Sequence, residues 1–318
     1  MKLEHHYSAP LLLNSGHAQT MFPALFRKQE PPPYTRERIA TLDGDFLDLD
    51  WCRDGNGRLA ILSHGYEGHS YTWYMRGMVH ALRQAGWDTL AWNFRGCSGS
   101  LPQLPRIYHA GATEDLDLVV RHAEQQGYGH ISLLGFSIGG NLSLLYLGKY
   151  AAHLPASVKS AITFSVPTRL GDAAVQMNKW SNRYYLRRFL RSLADKIEGM
   201  KSRFPDAINT APLNKIRTLR DFDEIYTAPM NGFESAEDYW YRASSRQHIP
   251  HINVPTLIVN ALDDPFLPPT CFPVREAAGN DMVMLDMPRR GGHLGFVRLN
   301  GDEQYWSEKR AIGFLNNY

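Results

Sequence analysis

Residues 130–148 read His-Ile-Ser-Leu-Leu-Gly-Phe-Ser-Ile-Gly-Gly-Asn-Leu-Ser-Leu-Leu-Tyr-Leu-Gly. An apolar run of strand length leads into Gly135-Phe136-Ser137-Ile138-Gly139, and an apolar helical pattern leads out of it. A serine with glycine two residues away on either side, between a strand and a helix, is the sequence of a nucleophile elbow. Such a turn strains the serine backbone, and the glycines let strand and helix approach closely. The serine oxygen then stands clear of the sheet at the positive end of the following helix. The five-residue pattern alone arises by chance in many chains. Its place between a strand and a helix is what gives it weight.

Outward from the elbow, strands and helices alternate. Residues 59–63, 89–94, 131–134, 162–166, 256–260 and 282–285 read as strands. Residues 72–85, 113–126 and about 303–316 read as helices. Upstream, Asp43-Gly44 between two strand-like runs in residues 34–52 reads as a hairpin. This alternation predicts an α/β fold with a mostly parallel central sheet and helices on both faces. Residues 168–250 interrupt it. There Leu186, Phe189, Leu190, Leu193, Ile197, Met200 and Phe204 keep helical spacing. The expected organisation is a core of residues 1–167 and 251–318, with residues 1–33 an irregular N-terminal extension. Residues 168–250 are expected to form a helical lid inserted over the site.

A serine nucleophile needs a base, and the base needs an orienting carboxylate. Candidates follow Ser137 in the order Ser, Asp, His. Asp263-Asp264-Pro265 follows an apolar strand, and Gly291-Gly292-His293 lies in the loop after the next one. Loops at the C-terminal ends of parallel strands are where sites of open α/β sheets form. His293 is the candidate base. Asp264 is preferred over Asp263 as the carboxylate, because an Asp-Pro turn would aim it back over the strand end. An oxyanion needs two backbone N–H donors. Ile138, after the nucleophile, and Tyr66, in the His64-Gly65-Tyr66-Glu67-Gly68 loop after an early strand, are the candidates. Each motif alone is more often a structural turn than a catalytic one. Their joint order, each after a strand, is what favours catalysis.

Composition excludes other classes. The chain has 318 residues, 43% hydrophobic and 21% charged, which are ordinary globular values, and its net charge of +2 offers no polyanion-binding surface as a whole. No Cys/His cluster or His-Glu-x-x-His occurs, and no P-loop or strand-linked Gly-x-Gly-x-x-Gly, so no metal and no cofactor is expected. Cys52, Cys97 and Cys271 are odd in number and widely spaced, which suits reduced thiols in a cytoplasmic protein. The first residues lack the layout of a signal peptide, and no apolar run is long enough for a transmembrane segment. Between Lys179 and Arg203 lie eight basic residues against Asp195 and Glu198, with Trp180, Tyr184 and Tyr185 interleaved. This is read as a solvated face whose aromatics pack on the core, in preference to a peripheral membrane contact. The expected partner is a small-molecule ester, with no nucleic acid.

Taken together, these stretches resemble the YheT-like branch of the α/β-hydrolases, hydrolase family 4. The matching residues include Gly16-His17-Ala18-Gln19-Thr20, residues 43–51, His64-Gly65-Tyr66-Glu67-Gly68, Asn93-Phe94-Arg95-Gly96-Cys97-Ser98-Gly99, residues 135–141, Asn260-Ala261-Leu262-Asp263-Asp264-Pro265 and Gly292-His293. They span nearly the whole chain. The resemblance implies an α/β-hydrolase fold and carboxylic ester hydrolysis, with the triad on Ser137, Asp264 and His293. Substrates in this branch range over short-chain esters, medium-chain acyl esters and phospholipids. Some eukaryotic relatives pass the acyl group to alcohols, so an acyltransferase is an alternative that sequence leaves open. A non-catalytic binding protein on the same fold is another, disfavoured by the intact Ser, Asp and His.

Overall fold

In the computed structural model, residues 7–299 and 304–318 are described. The chain opens with helix α1 (Gly16–Phe26), followed by a hairpin of β1 (Thr35–Ala40) and β2 (Phe46–Cys52). Thr35 faces Trp51 and Ala40 faces Phe46 across this antiparallel pair. Then come β3 (Arg58–Ser63), α2 (Trp73–Gln84), β4 (Asp88–Asn93), α3 (Thr113–Gln125), β5 (His130–Phe136), α4 (Ile138–Lys149) and β6 (Val158–Phe164). A helical stretch follows: α5 (Leu170–Met177), α6 (Arg183–Arg203), and the shorter α7 (Leu219–Phe222), α8 (Ala228–Met230) and α9 (Ala236–Ala243). The sheet resumes with β7 (Thr256–Val259), α10 (Val274–Ala278) and β8 (Val283–Asp286), and the chain closes with α11 (Trp306–Leu315).

The eight strands form one sheet in the order β1-β2-β4-β3-β5-β6-β7-β8. β1 and β2 are antiparallel to their neighbours, and every other pairing is parallel. The period-2 pattern of the strands feeds two apolar layers. Leu59, Ile61, Leu133 and Ala161 pack with Leu116, Val119 and Leu144 of α3 and α4 on one face. Ala60, Leu62, Leu134 and Ile162 pack with Met78, Val79, Leu82 and Phe314 of α2 and α11 on the other. α4 is apolar around most of its circumference, and its residues 138–148, Asn141 and Ser143 included, are all buried. The loops after β3, β5, β7 and β8 leave the carboxyl ends of parallel strands, so they gather at one edge.

Two expectations need correction. Residues 1–33 are not irregular throughout: Gly16–Phe26 is a helix, while residues 1–6 lie outside the described part. Sequence signals hid it, since Gly16 opens it and Pro23 sits inside it, both unfavourable to an isolated helix. Local capping helps, with Ser15 Oγ accepting from Ala18 N at 3.2 Å. Tertiary contacts decide: Gln19 Nε2 donates to Leu13 O at 2.9 Å and Gln19 Oε1 accepts from Val297 N at 3.0 Å. The second correction concerns the aromatics among the basic residues. Tyr185 is buried against Phe266, but Trp180 is 85% and Tyr184 56% exposed. The buried row of α6 is Leu186, Leu193, Ile197 and Met200, and neither Trp180 nor Tyr184 falls on it. Among the described residues no helix is long and apolar enough to cross a membrane.

Candidate active site

Ser137 sits at φ 54° and ψ −120°, a conformation L-residues avoid. The surroundings enforce it. Its amide donates to Phe164 O at 2.8 Å, and its carbonyl accepts from Asn141 N at 3.0 Å. A Cβ on Gly135 would fall 2.5 Å from Gly139 O, and one on Gly139 would fall 2.3 Å from Ser63 O. Both glycines are therefore required by close approach of strand, helix and neighbouring loop.

His293 joins the serine to an aspartate. Its Nε2 lies 3.0 Å from Ser137 Oγ, and its Nδ1 lies 2.9 Å from Asp264 Oδ2. With the ring proton on Nδ1, the imidazole donates to Asp264 and leaves Nε2 to accept the serine proton. The Asp264 side chain is fully buried, and its Oδ1 accepts from Phe266 N at 2.9 Å. Asp263 turns the other way. Its Oδ1 accepts from Gly292 N at 2.9 Å, and Arg290 lies 4.0 Å from its second oxygen. It braces the histidine loop and does not touch the imidazole. Burial raises its carboxyl above the ordinary range.

The histidine loop rests on α1. Thr20 Oγ1 accepts from His293 N at 2.9 Å. Gly292 has φ 58°, and a Cβ there would lie 2.4 Å from Gly16 O. Phe266 covers the imidazole, ring centres 4.3 Å apart. Thr20 is the site residue that residue-by-residue reading missed. Its signal lay in the Gly16-His17-Ala18-Gln19-Thr20 stretch, which carries no chemistry of its own.

The loop after β3 and the start of α4 both border the serine. An added Cβ on Gly65 would lie 3.2 Å from Ser137 Cβ, so the loop after β3 is directly against the nucleophile. In that loop Gly65 N donates to Tyr74 Oη, Glu67 N to Tyr108 Oη and Gly68 N to Gly65 O. Among the described residues the Tyr66 amide is left without a protein acceptor, and Tyr66 lines the cavity. Ile138 is the first residue of α4, whose opening amides have no intrahelical acceptor. His64 holds the loop: Nδ1 meets Gly65 O at 2.8 Å and Nε2 meets Phe94 N at 3.1 Å. Burial lowers its pKa to about 3, so this imidazole is neutral.

Glu67 ties the same loop to α6. Its carboxylate accepts from Lys196 Nζ at 2.7 Å, from Tyr108 Oη at 2.9 Å and from Ser192 Oγ. Both members of the ion pair are at least nine-tenths buried. Burial would lower the ammonium pKa, yet the Cys97 thiol at 3.2 Å and Glu67 together hold it above its usual value. Lys196→Met strands a buried carboxylate, a change that costs about 3 kcal/mol or more. We expect a clear drop in thermal unfolding temperature, and a fall in kcat of about tenfold or more at nearly constant KM as Tyr66 loses its support. An unchanged melting temperature would show that the pair holds nothing.

The site opens into a cavity of about 330 Å³, walled by Met21, Ala24, Leu170, Met177, Phe189 and Phe266 among others. A family model described as alpha/beta hydrolase fold matches residues 61–271. The chain belongs to the α/β-hydrolase fold family. YheT of Escherichia coli (strain K12), provisionally named an esterase, is 35% identical over 95% of this chain and 90% of its own. This hydrolase is also similar to mouse Phospholipase ABHD3, at 32% identity over 88% of this chain and 70% of that one. Among solved structures, the Pyrococcus furiosus esterase Pf2001 superposes with a TM-score of 0.60 at 18% identity, covering 90% of this chain and 91% of that one. The hydrolase thus falls in the YheT-like branch, and it is an enzyme of ester type. The family match stops before His293, so the place of that residue rests on the geometry above.

Proposed function

We propose that this hydrolase cleaves carboxylic esters of apolar acyl groups through an acyl-enzyme on Ser137. The observation that carries the reading is the unbroken hydrogen-bond relay from Asp264 through His293 to Ser137 Oγ, open to an apolar cavity. His293 Nε2 takes the serine proton as Oγ bonds to the acyl carbon. The amides of Tyr66 and Ile138 hold the resulting oxyanion. The bond to the leaving alcohol breaks as Nε2 returns the proton to its oxygen. Water then attacks the acyl carbon, giving its proton to Nε2, and the acid leaves as Ser137 is reprotonated. Asp264 keeps the imidazole in the productive tautomer throughout.

Residues 168–250 act as a lid in this reading, since Leu170, Met177 and Phe189 wall the cavity from the inserted segment. The names of relatives, which include a phospholipase and a yeast monoacylglycerol lipase, support an acyl ester substrate. The test is a p-nitrophenyl ester series from acetyl to palmitoyl. Each methylene buried contributes about 0.8 kcal/mol, so kcat/KM should rise roughly fourfold per added CH₂ until the cavity is filled. A flat series would contradict an acyl-binding role for the cavity. Product analysis with an added alcohol distinguishes hydrolysis from acyl transfer.

A further inference from the structure

The cavity is walled in part by α1 and the first turns of α6. Met21 and Ala24 line it from one side, and Tyr185 and Arg188 from the other. His17 of α1 stacks on Tyr185 of α6, ring centres 5.8 Å apart, so the two helices meet at this rim. The rim combines two surface features.

The first is uncompensated positive charge. Arg183, Arg187 and Arg191 repeat every four residues and form one row along α6, with Arg188 beside it. All four are exposed. Among the described residues none has a carboxylate within 4.0 Å. Several exposed arginines elsewhere are paired: Arg121, Arg169, Arg220 and Arg242 meet carboxylates at 2.7, 3.2, 2.8 and 3.2 Å. No acid occurs on α6 before Asp195.

The second is exposed apolar surface on the same rim. Tyr184 stands one turn before Arg188 and is 56% exposed, and Trp180 one turn before that is 85% exposed. On α1, Leu25 lies one turn beyond the cavity-lining Met21 and is 59% exposed, with Phe26 beside it at 65%. RNA would engage the arginines and stack bases on Trp180 and Tyr184, but it offers no apolar phase for Leu25. Guanidinium groups interleaved with outward-facing Trp, Tyr, Phe and Leu match the headgroup and acyl boundary of an anionic bilayer.

We propose that this rim docks on anionic phospholipid surfaces, placing the cavity mouth against the lipid. The arginine row meets lipid phosphates, and Trp180, Tyr184, Leu25 and Phe26 enter the interfacial layer. Docking does not depend on the chemistry at Ser137, so it can be tested apart from catalysis.

The experiment is sedimentation of the full-length protein with phosphatidylcholine vesicles, with and without phosphatidylglycerol at about one third. Binding is expected to the phosphatidylglycerol vesicles at low salt and to fall steeply at high salt. The triple variant Arg183→Glu, Arg187→Glu, Arg191→Glu should bind about 100-fold more weakly, at about 1 kcal/mol per basic residue removed. Trp180→Ala should weaken binding with all charges in place. Neither variant touches the cavity wall, so both should hydrolyse soluble p-nitrophenyl acetate at the wild-type rate, which also verifies folding. No binding to phosphatidylglycerol vesicles, or equal binding by wild type and the triple variant, would overturn the proposal. So would retention of an acidic protein or RNA by this rim in preference to vesicles.

Discussion

Ser137→Ala should lower kcat for a p-nitrophenyl ester by about 10⁴-fold or more, leaving at most the residual rate that an oxyanion site and binding can supply without a nucleophile. The effect should fall on chemistry alone. Alanine keeps the Cβ and must adopt the same φ of 54°, so the strained turn survives. The hydrogen bond from the backbone N–H of residue 137 to Phe164 O and the packing of Gly135 and Gly139 are untouched. Thermal unfolding should therefore move little. Retained turnover in a cleanly folded variant would remove Ser137 from the mechanism.

Asp264→Asn should cost about 10⁴-fold in kcat, because an amide opposite Nδ1 favours the wrong imidazole tautomer. Asp263→Asn supplies the contrast. Asparagine can still accept from Gly292 N, so the loop should hold and activity stay within about tenfold. The pair of variants separates two adjacent aspartates that look alike in sequence. Steady-state kinetics of both, on one short-chain ester, decides between them. Equal losses would mean that Asp263 acts as more than a brace.

Much of this arrangement was legible from residues alone. The elbow, the Asp-Asp-Pro turn and the Gly-Gly-His loop each follow a strand, and strands are visible as short apolar runs between turn signals. The preference for Asp264 over Asp263 came from Asp-Pro turn chemistry, and in the structure it is Asp264 that meets His293. Helix α1 was not legible. Gly16 and Pro23 speak against a helix locally, and the contacts that hold it come from residues near 293 and 297, nearly three hundred positions away. The Glu67 and Lys196 pair was hidden for the same reason, since 129 residues separate the partners. The exposure of Trp180 was misjudged because periodicity gives the buried row of a helix but not how far its neighbour covers the flanks.

The most direct test of the account is the intact mass of the protein after brief exposure to a fluorophosphonate, for wild type, Ser137→Ala and His293→Ala. One adduct on wild type, mapped by peptide mass to Ser137, is the expected result. No adduct should form on Ser137→Ala, and labelling of His293→Ala should be slower by orders of magnitude. An unlabelled wild type, or an adduct on any other residue, would contradict a serine activated by His293 and Asp264.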